Sequence, residues 1–240
     1  ETAPMATSCW FQAEEPGNIG LPVPGTELKL IPVGDKLEVR VKGPNVTPGY
    51  WRNEKQTREA FDDEGFFIMG DAVRFADTDR PEAGLFFDGR ISENFKLTSG
   101  TWVNVGDLRM AGIDALAPLA TDIVVAGHDQ DYVGVLIFPN EAACRKISGL
   151  DQNSPLHAVL ASTPVRAAIA AGLARLKKTG GGSSRYAARA RLLDTPPQPD
   201  AGEITDKAYI NQKRVLSLRS QDVDHLFGDN ADQFITPAKA

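Results

Sequence analysis

The chain has 240 residues, enough for one sizeable core or two smaller ones, and is 42% hydrophobic and 24% charged, an ordinary globular composition. A formal net charge of −6 leans against a nucleic-acid partner, which needs a basic face. The longest apolar stretches, Val165–Leu176 and Ile113–Val125, are broken by Arg, Asp or Pro and fall short of the ~18 residues of a membrane span, so no membrane partner is expected.

Cys9 and Cys144 lie far apart without metal or redox spacing, and His128, His157 and His225 are equally scattered. Reduced thiols in a cytoplasmic protein are the expectation. Glu1-Thr2-Ala3-Pro4 shows neither an initiator Met nor a signal peptide, so a fragment of a longer chain is expected.

Residues 16–50 are rich in Gly and Pro and alternate polar with apolar. Lys36–Val41 sets Leu37, Val39 and Val41 on one face and Lys36, Glu38 and Arg40 on the other, a half-buried antiparallel strand. Val33-Gly34-Asp35-Lys36 reads as its hairpin turn, and the whole segment as a small, barrel-like β-unit. Glu54–Phe61 reads as a short helix, Asp62-Asp63-Glu64-Gly65 as a turn, and Phe66–Met69 and Leu85–Asp88 as strands. These two strands end at Gly70-Asp71 and at Asp88-Gly89-Arg90. Each would deliver a charged residue to a turn, exposed but held by the sheet behind it. On spacing alone, two hairpins with ordinary turn residues explain the same pattern.

Beyond Arg90 the composition shifts, which predicts two domains, 1–90 and 91–240. The second is read as Asn104–Leu116 (strand end, then helix), a strand pair Asp122–Ala126 and Tyr132–Phe138, and a helix Glu141–Ile147. Ser154 is expected to cap a helix over 155–161, and Thr163-Pro164 to open the helix Pro164–Lys178, which stops at Gly180. Gly180-Gly181-Gly182-Ser183-Ser184 follows a helix and lacks a Walker lysine, which favours a linker over a phosphate cradle. Arg189–Leu193 reads as a strand, and Thr205 as the cap of one long helix over roughly 206–227. The fold class expected is α+β.

The strings NIGLPVPGTELKL, GPNVTPGYWR, FFIMGDAVRF, FDGRISENFKLTSGTWVNVGDLR and DAGEITDKAYINQ together resemble the adenylate-forming (AMP-forming) acyl-CoA synthetase superfamily. They are most similar to its feruloyl-CoA synthases and related aryl-CoA ligases. The resemblance covers nearly all of the sequence but only the C-terminal part of such enzymes, without their phosphate loop and most of the carboxylate pocket. It implies the end of a large adenylation domain followed by a mobile C-terminal lid. It also implies an ATP-dependent reaction that joins an aromatic carboxylic acid to CoA through an acyl-adenylate, releasing AMP and pyrophosphate. A related enzyme that loads a carrier protein is the alternative. The partners implied are a small aromatic acid, ATP, CoA and the rest of the chain's own N-terminal domain, and the 240 residues alone are expected to give no turnover.

Under that resemblance Asp71 accepts from the ribose hydroxyls, and Arg90 offers a planar fork to ribose and phosphate oxygens. The family's Arg-Thr-Gly-Asp stands here as Ile68-Met69-Gly70-Asp71, so two neighbouring polar groups are lost. Ser92 takes the hinge position, usually Asp or Lys. Lys96 matches a lysine just beyond the hinge that meets the nucleotide. Ser99, Gly100 and Trp102 would line the pantetheine tunnel for CoA. Glu1 would help hold Mg²⁺, a hard cation that takes oxygen ligands. Lys207, in Thr205-Asp206-Lys207, is the candidate catalytic lysine whose ammonium offsets charge growing in the transition state, with Lys213 as fallback.

Overall fold

The structure, a computed structural model, describes residues 1–34, 36–205 and 208–238, the side chain of Ser92 excepted. It divides into two compact units, Glu1–Ser92 and Glu93–Ala240.

The first unit contains β1 (Thr7–Ser8), β2 (Asn18–Pro22), β3 (Glu27–Val33), β4 (Lys36–Lys42), α1 (Glu54–Glu59), β5 (Phe67–Phe75) and β6 (Leu85–Arg90). The six strands form one antiparallel sheet in the order β1-β2-β6-β5-β4-β3. Val39, Val41, Val73 and Leu85 make its buried cluster, as period-two alternation requires. The opposite face of β4 is not simply solvated. Lys36 and Glu38 are buried, and Glu38 and Arg40 join Asp62, Lys29 and Glu64 in a charged network. Asn53 caps α1 by accepting from the Gln56 N–H, and Asp62 Oδ1 accepts from the N–H groups of Glu64 and Phe66. The Phe66 bond, then Arg40 and Lys29, hold the Asp62 carboxyl well below the usual range against the opposing effect of desolvation.

The second unit contains β7 (Phe95–Lys96), β8 (Trp102–Val103), α2 (Val105–Leu116), β9 (Ala120–Ala126), β10 (Gly134–Pro139), α3 (Glu141–Ser148), α4 (Leu156–Ala161), α5 (Thr163–Gly180), β11 (Arg189–Leu192), α6 (Gln212–Leu218) and α7 (Ser220–Phe227). β10 lies centrally, antiparallel to β9 and parallel to β11. Ile123, Val125, Val135 and Ile137 face a core built with α2, α4 and α5. Val124, Ala126, Leu136 and Phe138 face a second core with Val215 of α6 and Leu226 of α7. Burial on both faces is why these strands read as continuous apolar runs.

Two expectations need correction. Asn211 caps α6 by accepting from the Arg214 N–H, and Arg219 (φ −105°, ψ 36°) separates α6 from α7, so the single helix over 206–227 does not form. Thr205 instead closes a turn, with its backbone N–H donating to the Tyr209 carbonyl and its hydroxyl accepting from the Tyr209 N–H. Ser154 does not cap α4, whose N-cap is Pro155 without a side-chain bond.

Where α2 meets α5, a Cβ on Gly172 would stand 2.8 Å from the Ala115 carbonyl oxygen and 2.8 Å from Leu116 Cδ2. Gly172→Ala gains about 1 kcal/mol of helix propensity, but overpacking against a backbone atom costs about 1–3 kcal/mol and wins. The urea midpoint is expected to fall at unchanged m-value. An equal or higher midpoint would show that the helices separate freely.

Candidate functional site

The centre of the first unit is a double irregularity in β5. On one side Val39 opposes Asp71 while the next residue, Arg40, opposes Ile68, so Met69 and Gly70 are extra. On the other side Asp71 opposes Arg90 while Val73 opposes Phe87, so Asp88 and Gly89 bulge from β6. Both glycines have left-handed backbones, φ +71° at Gly70 and +87° at Gly89, which a Cβ disfavours. The sequence reading placed Asp71 at a strand end, but β5 continues to Phe75. A glycine bulge interrupts the alternation as a strand end does, while its sharp bend re-aims the neighbouring side chain.

The bulges set Asp71 and Arg90 side by side, Arg90 Nε 3.2 Å from Asp71 Oδ1. The carboxylate is largely sheltered at 19% exposure and the guanidinium stands out at 56%. A planar donor fork beside a held carboxylate can meet a ligand's hydroxyl donors and its anionic oxygens together.

Lys36 supports the second bulge and was missed from sequence. Its Nζ lies 3.2 Å from Asp88 Oδ1, also donates to the Asp88 carbonyl, and is 5% exposed. The partners are 52 residues apart, and Lys36 looks like an ordinary polar-face residue of β4.

The other first-unit candidate, Glu1, accepts through Oε1 from the Tyr50 hydroxyl at 3.1 Å. Burial, and secondarily this carboxylate, push the Tyr50 hydroxyl pKa up. A lone carboxylate suits Mg²⁺ by type, but among the described residues no three His, Cys, Asp or Glu side chains converge on a cation position. The residues present therefore do not make a magnesium site by themselves. Ser92 lies in the 3₁₀ turn Ile91–Glu93.

In the second unit Lys96 and Trp102 face each other across the β7–β8 pair, the ammonium 5.1 Å from the indole centroid. The connecting turn is open: Ser99 Oγ donates to Thr101 Oγ1 at 3.0 Å, and nothing lies within 4 Å of where a Gly100 Cβ would stand. The structure thus gathers Lys96, Ser99, Gly100 and Trp102 on one small hairpin. Lys207 and Asp206 lie outside the described residues. Lys213 is exposed in the first turn of α6.

A buried ion pair, also missed from sequence, stands at the base of the 204–210 loop. Arg219 grips Glu203 with two bonds of 2.7 Å, Nε to Oε1 and Nη2 to Oε2. It also donates to the Thr195 carbonyl (3.0 Å), the Thr195 hydroxyl (2.8 Å) and the Pro196 carbonyl (2.8 Å), and stacks 4.9 Å from the Phe138 centroid. The guanidinium holds the Glu203 carboxyl below its ordinary pKa, against the desolvation that would raise it.

No family model matches the chain. Among curated proteins it is 26% identical, over 95% of its own length, to probable acyl-activating enzyme 16, chloroplastic, of Arabidopsis thaliana. It is 28% identical over 88% of its length to the long-chain-fatty-acid–CoA ligase FadD15 of Mycobacterium tuberculosis. It spans about a third of these relatives, 33% and 34%. Its fold matches the adenylation domain of a carboxylate reductase from Mycobacterium chelonae (TM-score 0.70, 22% identity, 88% of this chain and 32% of that one). It also matches the A-PCP didomain of a carboxylic acid reductase from Segniliparus rugosus in complex with AMP (TM-score 0.69, 21% identity, 87% and 29%). The chain is thus similar to acyl-activating enzymes and acyl-CoA ligases, and it shares the mixed α+β fold of a carboxylate reductase adenylation domain. The named curated relatives are acyl-activating and fatty-acid ligases, and the likeness to ferulate enzymes rests on the motifs alone.

Proposed function

We propose that this chain is the C-terminal part of an enzyme that uses ATP to activate a carboxylic acid as its acyl-adenylate and passes the acyl group to the thiol of CoA. The observation that carries the reading is the Asp71–Arg90 pair, set by two glycine bulges at 3.2 Å in a chain whose relatives are acyl ligases. Asp71 takes the ribose hydroxyls, and Arg90 spans ribose and phosphate. Lys96, with Ser99, Gly100 and Trp102, belongs to a lid that turns at Ser92, where Lys96 meets the nucleotide and the other three line the path of the pantetheine arm. Lys207 supplies the ammonium that offsets charge on the reacting carboxylate and α-phosphate. Glu1 contributes one oxygen toward a Mg²⁺ ion whose other ligands come from elsewhere. The acid is aromatic and ferulate-like, a choice drawn from the Gly-Glu-Ile-Thr-Asp-Lys stretch and its neighbouring motifs. The enzyme works in the cytoplasm.

A second reading, loading of a carrier protein, draws on two other relatives. One is a long-chain-fatty-acid–[acyl-carrier-protein] ligase of Arabidopsis thaliana, 24% identical over 95% of this chain and 31% of its own length. The other is the reductase didomain already described. The complete polypeptide containing residues 1–240 is expected to exchange pyrophosphate into ATP when given ferulate, and to form the thioester when CoA is added. Exchange without any CoA thioester selects the carrier-loading reading. Absence of exchange with aromatic and fatty acids alike refutes both.

A further inference from the structure

Arg90 follows a bulge that the β5–β6 ladder does not itself fix. The register runs from Val73–Phe87 to Asp71–Arg90, so two residues of β6, Asp88 and Gly89, stand against the single Ala72 of β5. Gly89 has φ +87°, a conformation that glycine enters and leaves with little penalty. What holds the bulge comes from two strands away. β4 lies beyond β5 in the sheet, and Lys36, its first residue, reaches across to Asp88. The ammonium is shared between the Asp88 carboxylate, 3.2 Å away, and the Asp88 carbonyl, and the lysine side chain is 5% exposed. That carbonyl belongs to the peptide joining Asp88 to Gly89. The contact therefore fixes the plane from which Gly89 turns as well as the Asp88 side chain. Arg90 is the next residue, and its Nε stands 3.2 Å from Asp71 Oδ1.

Holding a strand in place does not require a charge. Burying an ammonium is costly, and an apolar pair of similar volume often stabilises a fold as well or better. What an apolar pair lacks is direction, whereas an ammonium donating to two acceptors on one residue orients the backbone between them. Arg90 is where direction matters. Its side chain is 56% exposed on a long stem, and a planar fork makes paired bonds from one orientation only. We propose that Lys36 and Asp88 are positioning residues for the nucleotide site, setting the β6 bulge so that Arg90 presents its fork to the ligand's anionic oxygens. The functional half of this inference rests on the adenylate-forming reading above. Misplacing a group by about 1 Å can cost on the order of 10²-fold, so a small turn at Gly89 is enough to matter.

The test uses Lys36→Met, which keeps the stem and loses the charge, and the double variant Lys36→Met/Asp88→Asn, which leaves no carboxylate unpaired. In the complete polypeptide, calorimetric titration is expected to show AMP binding about tenfold weaker in both variants. Adenosine, which lacks the phosphate, is expected to stay within about threefold of wild type. In an Arg90→Ala background, Lys36→Met is expected to change AMP affinity by less than about twofold, because the group it positions is gone. In the same polypeptide, backbone hydrogen exchange over residues 88–90 is expected to accelerate in both variants while the β3–β4 ladder stays protected. Equal weakening of AMP and adenosine, additive losses in the Arg90→Ala background, unchanged AMP affinity, or bulge exchange as in wild type overturns the proposal. Loss of the fold in both variants overturns it too, because the pair then serves the sheet rather than the site. A wild-type protein that binds neither AMP nor adenosine refutes the functional reading instead, and the hydrogen-exchange comparison still decides whether the pair holds the bulge.

Discussion

Asp71→Ala is expected to weaken AMP binding by about 100-fold or more while leaving the melting temperature nearly unchanged. Two hydrogen bonds from ribose hydroxyls to a carboxylate contribute about 1.5–3 kcal/mol each, and every 1.4 kcal/mol is tenfold in affinity. The ion pair lost with the carboxylate costs far less. Arg90 is 56% exposed, and a pair with so open a partner contributes about 0–1 kcal/mol. Binding and stability therefore separate in this variant. Calorimetric titration of AMP into the wild-type and variant chains, with thermal melts of both, measures the separation. Equal AMP affinity would remove Asp71 from the site, and a large drop in melting temperature would mark it as structural.

The largest stability effect is expected at the other end of the chain. Arg219→Met leaves the Glu203 carboxylate buried without its cation, and breaking a buried pair from one side costs about 3–5 kcal/mol. The pH dependence follows from the direction of the shift. In the wild type the Glu203 pKa lies below its unfolded value, so the pair's contribution is complete above the ordinary carboxylate range and fades as pH falls through the depressed folded value. In the variant the largest opposing effect is gone, desolvation is countered only by the Gln198 N–H bond and the charge of Arg214, the pKa moves up, and protonation relieves the buried charge. The deficit relative to wild type is therefore expected to be greatest near pH 7.5 and smaller near pH 5. Urea midpoints at the two pH values test it, and a deficit that does not shrink on acidification would show that lost packing, not unpaired charge, sets the cost.

How much of this was legible in the sequence depends on the range of the signal. Alternation along β4, the apolar runs of β9 and β10, and the helix signals around α2, α3 and α5 are local, and the elements formed near where they pointed. Gly70-Asp71 and Asp88-Gly89-Arg90 were recognisable as special, but a bulge and a strand end share a vocabulary, so β5 was read too short. Asn211 was a readable cap signal beneath a loosely apolar stretch, and passing over it merged two helices into one. Lys36–Asp88 and Glu203–Arg219 leave no trace at all. Each partner looks like a surface charge until the fold brings together residues 52 and 16 positions apart.

The central strands of the second unit have consequences for how that unit can fail. With Ile123 and Val125 sealed on one side and Val124 and Ala126 on the other, neither helical layer can peel off without wetting the sheet. Loosening one layer therefore undermines what the other rests on. The unit should melt as one indivisible block, with the amide protons of β10 the last to trade with solvent.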